Sequence, residues 1–581
     1  MADPQTTLAA AVSGAIAAAL GPDAAGADPV VRPAGNPRFG DFQANFAMPL
    51  AKLLGRPAPE IARVVVDELD LGAICSAVEV AGPGFVNLTL DDGWLATQAG
   101  LLLVDDRLGV APDPDPQRVI VDYSGPNVAK EMHVGHLRSS IIGDALSRIL
   151  GWLGHDVLRQ NHLGDWGTPF GMLIEHLLDV GAEAGTHDVS DLTAFYQQAR
   201  TKFDTDPAFA DRARQRVVLL QGGDGETLRL WGLLVEESRR HFNAVYERLG
   251  LLLTDADIRG ESFYNDRLAS VAAELEGDGL AVVDAGALCV FPPGFTGRDG
   301  NPQPLIVRKS DGGFGYAATD LAALQYRTTD LDGERVVYVV GAPQAQHLAM
   351  IFETGRMAGW LGEGKASAEH VAFGSVLGSD GRMLKSRTGD TPKLIDLLDE
   401  AVERAAAVVR EKSPDLSPEV RDAVAQAVGI GSVKYTDLAS DRIKDYVFDW
   451  DRMLSFDGNT AAYLINAYVR IRSIFRRAEA EVTAADAGSV VLVAPEERAL
   501  ALALLRFDVV VRSVAATLEP HRLSTYLFDL AQAFTAFYEA CPVLRAESPA
   551  VQRSRLVLCE LTARTLSTGL GLLGIQTVEQ M

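Results

Sequence analysis

The chain has 581 residues, enough for three or more domains that each bury a core of their own. Hydrophobic residues make up 48% and charged residues 23%, and no apolar run approaches the ~18 residues of a membrane span, so the composition predicts a globular protein without a membrane anchor. A net charge of -25 argues against a nucleic-acid partner for the chain as a whole, although binding depends on local patches.

The first 110 residues predict a small α+β domain. The opening run lacks the basic start of a signal peptide, and its alanine-rich pattern favours an amphipathic helix that ends at Gly21. The segment "AGPGFVNLTL" (81–90) is typical of a turn that leads into a strand. The proline-rich "APDPDPQ" (111–117) then indicates a domain boundary.

A strand, turn, helix and strand follow this boundary. "RVIVDY" (118–123) has the β-branched content of a strand, and "SGPN" (124–127) favours a turn. From His136 the apolar residues recur at helical spacing, with Gly154 placed to end the helix. "DVLRQNHLGD" (156–165) returns as a strand, so this βαβ pattern predicts a parallel, Rossmann-like sheet.

The remainder of the chain predicts one interrupted domain and one helical domain. Residues from about 180 to 300 are mixed and Gly-rich, as in an insertion, and "VVYVVGA" (336–342) restores the strand pattern. We therefore expect one α/β domain over residues 118–400. Residues 401–581 are almost wholly helical in pattern and predict an all-α bundle.

Two histidines stand where the first strand gives way to the first helix. In open parallel sheets ligands bind at this edge, and a helix start favours phosphate. His133 and His136 would supply hydrogen-bond donors, Lys130 a fixed cation, and Gly135 room for a nucleotide. A metal site is the weaker interpretation because no Glu follows His133 and no further ligands lie nearby. Two histidines with no special role remain the third alternative.

A basic loop could supply the second half of a phosphate site. "GSDGRMLKSRTGDTPKL" (378–394) is rich in Gly, Ser and Thr and brings Arg382, Lys385 and Arg387 close together. Such a loop can close over a polyphosphate and neutralise developing charge, although a basic loop by itself is usually only solvated. The four cysteines form no CxxC pair, which excludes a zinc ribbon and indicates reduced thiols, as in a cytoplasm.

These motifs together resemble the class I aminoacyl-tRNA synthetases, and specifically the bacterial form of arginyl-tRNA synthetase. The HxGH turn and the "RMLKS" segment (382–386) match the two class signatures. Longer stretches are similar to the arginine family across the whole chain. They are "VDYSGPNVAKEMHVGHLRSSIIGDAL" (121–146), "NHLGDWGTPFGML" (161–173), "DYVFDWDRMLSFDGNTAAYL" (445–464) and "LLGIQTVEQM" (572–581).

The resemblance implies that arginine and ATP, with Mg²⁺, give arginyl-adenylate and pyrophosphate, and that arginine then passes to tRNA(Arg). His133, Gly135 and His136 would bind ATP together with Arg382, and Lys385 would contact the leaving pyrophosphate. Arg382 stands where the second signature usually has its first lysine. In the family a lysine just before the first signature, here Lys130, is thought to compensate, so the roles of Lys130 and Lys385 are left open.

A guanidinium substrate requires carboxylates or carbonyls in a matching planar geometry. In "GFGYAATDLAALQYR" (313–327), Tyr316 and Asp320 lie one turn apart on one helix face. Taken alone, Asp320 is most simply an exposed helix carboxylate. The resemblance implies that these two residues hold the guanidinium and that four further residues contact the arginine: Asp122, Ser124, Asn127 and Gln344.

A local basic stripe contrasts with the acidic chain. "TAAYLINAYVRIRSIFRR" (460–477) has no acidic residue, and its arginines alternate with Tyr463, Tyr468 and Phe475, a pattern that suits phosphate contact and base stacking or simply a solvated face. The resemblance implies an anticodon-binding bundle here and contacts to the tRNA elbow from the amino-terminal domain. The implied tRNA-binding residues are Phe85, Asn87, Tyr463, Arg470, Arg472 and Arg476.

Two other functions compete with this interpretation. A small-molecule nucleotidylyltransferase can share the HxGH turn, but it leaves the terminal domains without a role. A non-catalytic tRNA-binding relative would be expected to have lost the histidines or the guanidinium carboxylates, and this chain keeps both. We expect a cytoplasmic monomer with no membrane partner and no metal held by protein side chains.

Overall fold

The computed structural model describes residues 3–181, 192–297, 300–384 and 392–581. The amino-terminal part is an antiparallel sheet in the order β1-β2-β4-β3, covered by helices. Its elements are α1 (Pro4–Leu20), β1 (Val31–Pro33), β2 (Phe42–Ala44), α2 (Ala47–Leu54), α3 (Ala58–Asp67), β3 (Cys75–Ala81), β4 (Phe85–Leu90) and α4 (Asp92–Leu103). The predicted first helix and the turn before β4 are confirmed.

The central part begins with the predicted strand, helix and strand. It continues through a largely helical insertion that also contains a small antiparallel sheet, β7-β8-β9. Its elements as far as this sheet are β5 (Arg118–Asp122), α5 (Val134–Trp152), β6 (Asp156–Gln160), α6 (Thr168–Asp179), α7 (Leu192–Thr205), α8 (Pro207–Gln221), α9 (Gly225–Leu249), α10 (Asn265–Gly277), β7 (Ala281–Asp284), β8 (Ala287–Val290) and β9 (Leu305–Arg308).

The chain then completes the parallel sheet and passes into helices. The elements are α11 (Tyr316–Gln325), β10 (Arg335–Tyr338), α12 (Ala345–Met357), β11 (Ser367–His370), β12 (Val376–Leu377), α13 (Leu394–Lys412), α14 (Pro418–Leu438), β13 (Tyr446–Val447), α15 (Trp450–Met453), α16 (Ala461–Ala478), α17 (Pro495–Leu504), α18 (Phe507–Thr517), α19 (His521–Ala540) and α20 (Pro549–Leu572). Within the described residues, no helix is both long and apolar enough to cross a membrane.

The parallel sheet has the strand order β11-β10-β5-β6, which confirms the predicted α/β class. Strand β5 is buried on both faces: Val119 and Val121 belong to one core, and Ile120 belongs to another beneath α10, α11 and α12. The connections from β5 to β6 and from β10 to β11 run in opposite directions along the sheet. The carboxyl ends of β5 and β10 therefore form a topological switch point, where such sheets bind ligands.

Two predicted boundaries are corrected by the structure. Helix α5 begins at Val134 rather than at His136, because His133 itself caps the first turn. The strand predicted over residues 156–165 ends at Gln160, and the following residues run along the carboxyl edge of the sheet. The four cysteines are buried and unpaired, as expected for reduced thiols.

Candidate functional site

The two histidines cap helix α5 reciprocally. The backbone N–H of Gly135 donates to His133 Nδ1 at 3.0 Å, and the backbone N–H of His133 donates to His136 Nδ1 at 3.1 Å. The two ring centroids lie 4.1 Å apart. Because each Nδ1 accepts a hydrogen bond, each proton resides on Nε2, which becomes a donor for a ligand at the helix start.

Gly135 is required by the histidine pair itself. A Cβ at this position would lie 2.7 Å from His133 Cε1 and 2.8 Å from its Nδ1. Burial and the nearby Lys130 ammonium lower the pKa of His133. Burial, followed by the neighbouring His133, lowers the pKa of His136 to about 3. At neutral pH the pair therefore offers neutral N–H donors rather than two cations.

The turn before α5 adopts a backbone conformation that few side chains accept. Ser124 and Ala129 have φ angles of 73° and 62°. Both are held by helix α9 of the insertion: the Ser124 hydroxyl lies 2.9 Å from the Tyr246 hydroxyl, and the Ala129 N–H donates to Ser238 Oγ at 2.8 Å. The insertion thus shapes the candidate phosphate site.

The basic loop that matches the second class signature (378–394) is called the second signature loop. Its two ends lie close to the histidine turn. Strand β12 leads into a tight reversal in which the Gly378 N–H donates to the Arg382 carbonyl at 2.7 Å, and the Arg382 side chain is exposed. Lys385 and Arg387 lie outside the described residues. Beyond that gap, the Leu394 N–H donates to the Met132 carbonyl at 2.8 Å, so the chain returns directly to the histidine turn.

An open cleft of about 1380 Å³ adjoins both segments. Lys130 and His133 line it, and the Lys130 ammonium lies 4.3 Å from the centre of the Tyr196 ring. Carboxylates of helix α13, among them Asp396 and Glu400, line another wall. The structure therefore places Lys130 beside the candidate phosphate site.

At the switch point, the carboxylate of Asp122 forms an ion pair with Arg327. Asp122 ends strand β5, and its Oδ2 lies 2.9 Å from Nη1 of the buried Arg327, whose guanidinium stands over the Tyr338 ring. Ser124 is buried beyond the strand end, and the exposed Asn127 forms a parallel bridge with Gly164. These three predicted arginine contacts thus share one edge of the sheet.

The other three predicted arginine contacts come from α11 and from the turn before α12. Tyr316 and Asp320 lie one turn apart on α11, as predicted, and the Tyr316 side chain is 72% exposed. Gln344 is exposed in the short turn before α12. Asp320 Oδ2 lies 2.6 Å from His347 Nε2, and this hydrogen bond raises the pKa of His347.

The structure adds two residues that the sequence interpretation did not include. His347 could have been noticed because it lies one helical turn beyond Gln344. Glu261 comes from the insertion, and nothing in its local sequence indicates a site. Burial, reinforced by the charges of Asp165 and Asp320, raises the pKa of Glu261 to about 8. Glu261 is therefore a buried carboxylate that lies near the negative charges of Asp165 and Asp320.

The basic stripe lies on helix α16, with its arginines in two environments. Arg472 lies 3.2 Å from carboxylate oxygens of both Glu560 and Glu579, and Arg476 donates to the Glu579 carbonyl. Exposed Arg470, Arg476 and Arg477 line a groove of about 690 Å³ together with Tyr538 and Arg545.

The aromatic residues of the stripe differ in burial. Phe475 is only 8% exposed, so the expectation that it stacks on bases is corrected. Tyr463 is half-buried beside Phe528, and its hydroxyl lies 3.3 Å from Thr535 Oγ1. Of the stripe's aromatics, Tyr463 and Tyr468 remain partly accessible, and the Tyr468 hydroxyl donates to Glu579 at 2.6 Å.

Phe85 and Asn87 lie on the face of β4 opposite Val86 and Leu88, but Asn87 is itself buried, with only 7% of its surface exposed. Their neighbours Val86 and Leu88 point the other way, into the core. Asn87 Oδ1 accepts a hydrogen bond from Gln43 Nε2 at 2.8 Å, and Phe85 is half-buried. The two predicted contacts therefore share one face of β4.

The fold and the site define a class I aminoacyl-tRNA synthetase. A parallel sheet carries an HxGH turn at its first helix start, a second signature loop returns to that turn, and a helical bundle follows. Three family models match the chain: "tRNA synthetases class I (R), catalytic domain" over residues 98–450, "DALR anticodon binding domain" over 464–581, and "Arginyl tRNA synthetase N terminal domain" over 6–90. The chain belongs to the arginyl-tRNA synthetase family.

Individual relatives agree with this assignment. The chain is 57% identical to an arginine–tRNA ligase of Thermobifida fusca and 50% identical to one of Synechococcus elongatus, in each case over 100% of both chains. The solved arginyl-tRNA synthetase of Plasmodium falciparum has a TM-score of 0.87 at 30% identity over 100% of both chains. That of Thermus thermophilus has a TM-score of 0.83 at 27% identity, covering 99% of this chain and 100% of the other.

Proposed function

We propose that the switch point of the parallel sheet binds arginine and ATP, and that the bundle groove and the amino-terminal sheet bind the tRNA. As an arginyl-tRNA synthetase, the enzyme charges tRNA(Arg) with arginine for translation and uses ATP as a substrate. The observation that carries the site assignment is the capped histidine pair, whose Nε2–H groups face the helix start where the second signature loop returns.

In the first step the arginine carboxylate attacks the α-phosphorus of MgATP in line, and pyrophosphate leaves. The protein supplies no nucleophile, so its contribution is to position the reactants and to stabilise charge on the transferred group. His133 and His136 donate neutral N–H groups to the phosphates, and Gly135 leaves the adenosine close to the backbone. Lys130, Arg382 and Lys385 supply the cations for pyrophosphate, and Mg²⁺ enters with ATP.

The guanidinium of arginine binds to Asp320 and Tyr316. Asp122 already compensates the charge of Arg327, so the negative charge available to the guanidinium comes from Asp320, whose partner in the free protein is His347, and from its carboxylate neighbours. Asp122 therefore serves as an oriented acceptor rather than as the guanidinium partner. Together with Ser124, Asn127 and Gln344, it holds the α-amino and carboxylate end of the substrate near the histidines.

The tRNA contacts two separated surfaces. Arg470 and Arg476 line the groove beside α16 and contact phosphates of the tRNA. The guanidinium of Arg472 is positioned by ion pairs with Glu560 and Glu579. Tyr463 borders the surface that binds the bases. On the amino-terminal sheet, Phe85 and Asn87 contact the elbow of the tRNA. We assign residues 1–110 to elbow binding, 118–400 with the insertion at about 180–300 to catalysis, and 401–581 to the stem and anticodon region. The enzyme acts as a cytoplasmic monomer.

Aminoacylation of bulk tRNA, tested separately with each of the twenty amino acids, examines this proposal directly. We expect a signal for arginine alone. Pyrophosphate exchange is then measured with and without tRNA, because we expect adenylate formation to require tRNA. Full turnover on a small acceptor without tRNA would instead favour a nucleotidylyltransferase, and loss of both reactions would favour a non-catalytic tRNA-binding protein.

A further inference from the structure

Arg138 lies two residues beyond His136, on the face of α5 that packs against the helical domain. Its side chain is 1% exposed, and its Nε lies 3.0 Å from Oδ2 of Asp437, which is fully buried in the last turn of α14. Its Nη1 donates to the Lys444 carbonyl at 3.0 Å. The guanidinium also lies 5.3 Å from the centre of the Tyr446 ring. One side chain thus touches a helix, a loop and a strand.

The strand that Arg138 touches, β13, pairs with β12, the strand from which the second signature loop starts. Tyr446 belongs to β13, which pairs in parallel with β12, so that Tyr446 stands opposite Val376. The Phe448 N–H donates to the Leu377 carbonyl at 2.8 Å, and the Ser375 N–H donates to Asp445 Oδ1. A Cβ on Gly374 would lie 2.8 Å from the Lys444 backbone. This two-stranded ribbon is therefore closely packed, and the loop that contains Arg382 starts directly from it.

We propose that Arg138 is a positioning residue for the adenylation step. It fixes the second signature loop relative to His133 and His136 by holding the ribbon and helix α14 from the first signature helix. The inference rests on the proposed function, in which both signature segments bind ATP. Lys would not replace Arg138, because only a planar guanidinium can hydrogen-bond to the Asp437 carboxylate and to the Lys444 carbonyl at once while it lies over the Tyr446 ring.

Replacement of both Arg138 and Asp437 by apolar residues can distinguish a positioning role from a purely stabilising one. A buried ion pair can often be replaced by apolar residues of similar volume without loss of stability, whereas removal of one partner leaves an uncompensated charge. If Arg138 and Asp437 served only to stabilise the fold, an apolar double replacement would restore both folding and catalysis. If they set the loop position, the same replacement would restore folding alone.

The experiment compares wild type with R138M/D437L at saturating tRNA. We expect the double variant to fold, with a Tm within a few degrees of wild type. We expect kcat for pyrophosphate exchange to fall by about 10- to 100-fold, because small misplacement of reacting groups has effects of this size. The KM for arginine should stay within about twofold of wild type, since Tyr316 and Asp320 stand on α11, which belongs to neither strand of the ribbon.

A matched control is the pair Arg555 and Glu497 inside the helical bundle. Its Nε–Oε1 distance is 2.6 Å, its side chains are 3% and 0% exposed, and Arg555 also donates to a backbone carbonyl, that of Pro542. Glu497 also accepts hydrogen bonds from the Val493 and Ala494 N–H groups, so R555M/E497L should cost at least as much stability as R138M/D437L but keep wild-type exchange kinetics. Equal loss of kcat in both double variants, or wild-type kinetics in R138M/D437L, would overturn the proposal.

A second variant covers the case in which the double replacement does not fold. R138K keeps the positive charge beside Asp437 but lacks the planar guanidinium. It should therefore fold and still show the fall in kcat, with an unchanged KM for arginine. Wild-type kcat in R138K overturns the positioning role. H136A serves as a separate test of the proposed function: if exchange is normal in that variant, the ATP site itself is misassigned, whatever R138K does.

Discussion

The substrate pocket and the bundle groove differ in how their charges are balanced. In the pocket, Asp122 pairs with Arg327 and Asp320 pairs with His347. In the groove, Arg470, Arg477 and Arg545 pair with no carboxylate among the described residues. A chain with a net charge of -25 thus carries an acidic pocket for a cation and a basic groove for a polyanion.

This difference indicates two ways of binding a charged substrate. We expect the guanidinium to displace His347 from Asp320, so the selectivity of the pocket depends on fixed geometry and on protonation. The groove offers exposed charges to phosphates, so its affinity depends on salt and hardly on the position of any one side chain. Loss of the carboxylate that binds the guanidinium should therefore produce a large effect, and loss of one arginine from the groove should produce a small effect that depends on salt.

The largest effect is expected for Asp320→Ala. Removal of one partner from a desolvated, hydrogen-bonded charge pair costs about 2–5 kcal/mol, so kcat/KM for arginine should fall by about 30- to 4000-fold. ATP binding, measured by equilibrium titration, should change little. A suitable control is Asp330→Ala, since Asp330 is a carboxylate engaged by Arg267 away from the pocket. Near wild-type arginylation by Asp320→Ala would refute the pocket assignment.

His136→Ala tests the neutral donors and should rank second. One preorganised donor to a developing charge contributes about 2.7–4 kcal/mol, so kcat for pyrophosphate exchange should fall by about 10²- to 10³-fold. In wild type, His136 should not titrate between pH 6 and 8, because its pKa is lowered to about 3. His155→Ala is the control, since that imidazole only accepts from the Gln117 N–H beyond the other end of α5. An unchanged kcat in His136→Ala contradicts its role.

In the groove, Arg470→Gln should raise the KM for tRNA only a few-fold. Each phosphate contact adds about one to the slope of log affinity against log salt, so the slope should decrease by about one. Arg472→Gln should change the slope less, because two glutamates already engage that charge. Arg522→Gln, at a helix start and paired with Glu519, provides a neutral reference. A slope identical to wild type in Arg470→Gln would remove Arg470 from the interface.

Local sequence patterns predicted the parallel sheet, the helix start and the Tyr316–Asp320 face, because these depend on periodicity over a few residues. They could have excluded Phe475 as well, since it shares a buried face with Ile471 and Ile474 at helical spacing. The pairing of Arg138 with Asp437 spans 299 residues, and nothing near either residue indicates the other. Such contacts follow from the packing of whole domains and become visible only in the structure.

The smallest effect is expected for His347→Asn, and it should depend on pH. The Asp320 hydrogen bond raises the pKa of His347 above its ordinary value of 6.5, so the imidazolium persists below the raised pKa and is lost as pH rises through it. At pH 6.5 more than half of the wild-type molecules therefore hold Asp320 with an internal cation that competes with arginine. The asparagine variant cannot carry that charge, so its KM for arginine should be lower by at least about twofold at pH 6.5.

The difference between wild type and His347→Asn should disappear at pH values well above the raised pKa, where His347 is neutral in wild type. Glu261, with its pKa raised to about 8, also favours arginine binding at higher pH, but it is present in both proteins and cancels from the ratio of their KM values. Arginine KM is therefore measured for both proteins across this range. If the ratio of the two KM values stayed constant with pH, His347 would not compete with the substrate. The pocket would then bind arginine without displacing an internal cation, as the groove binds tRNA.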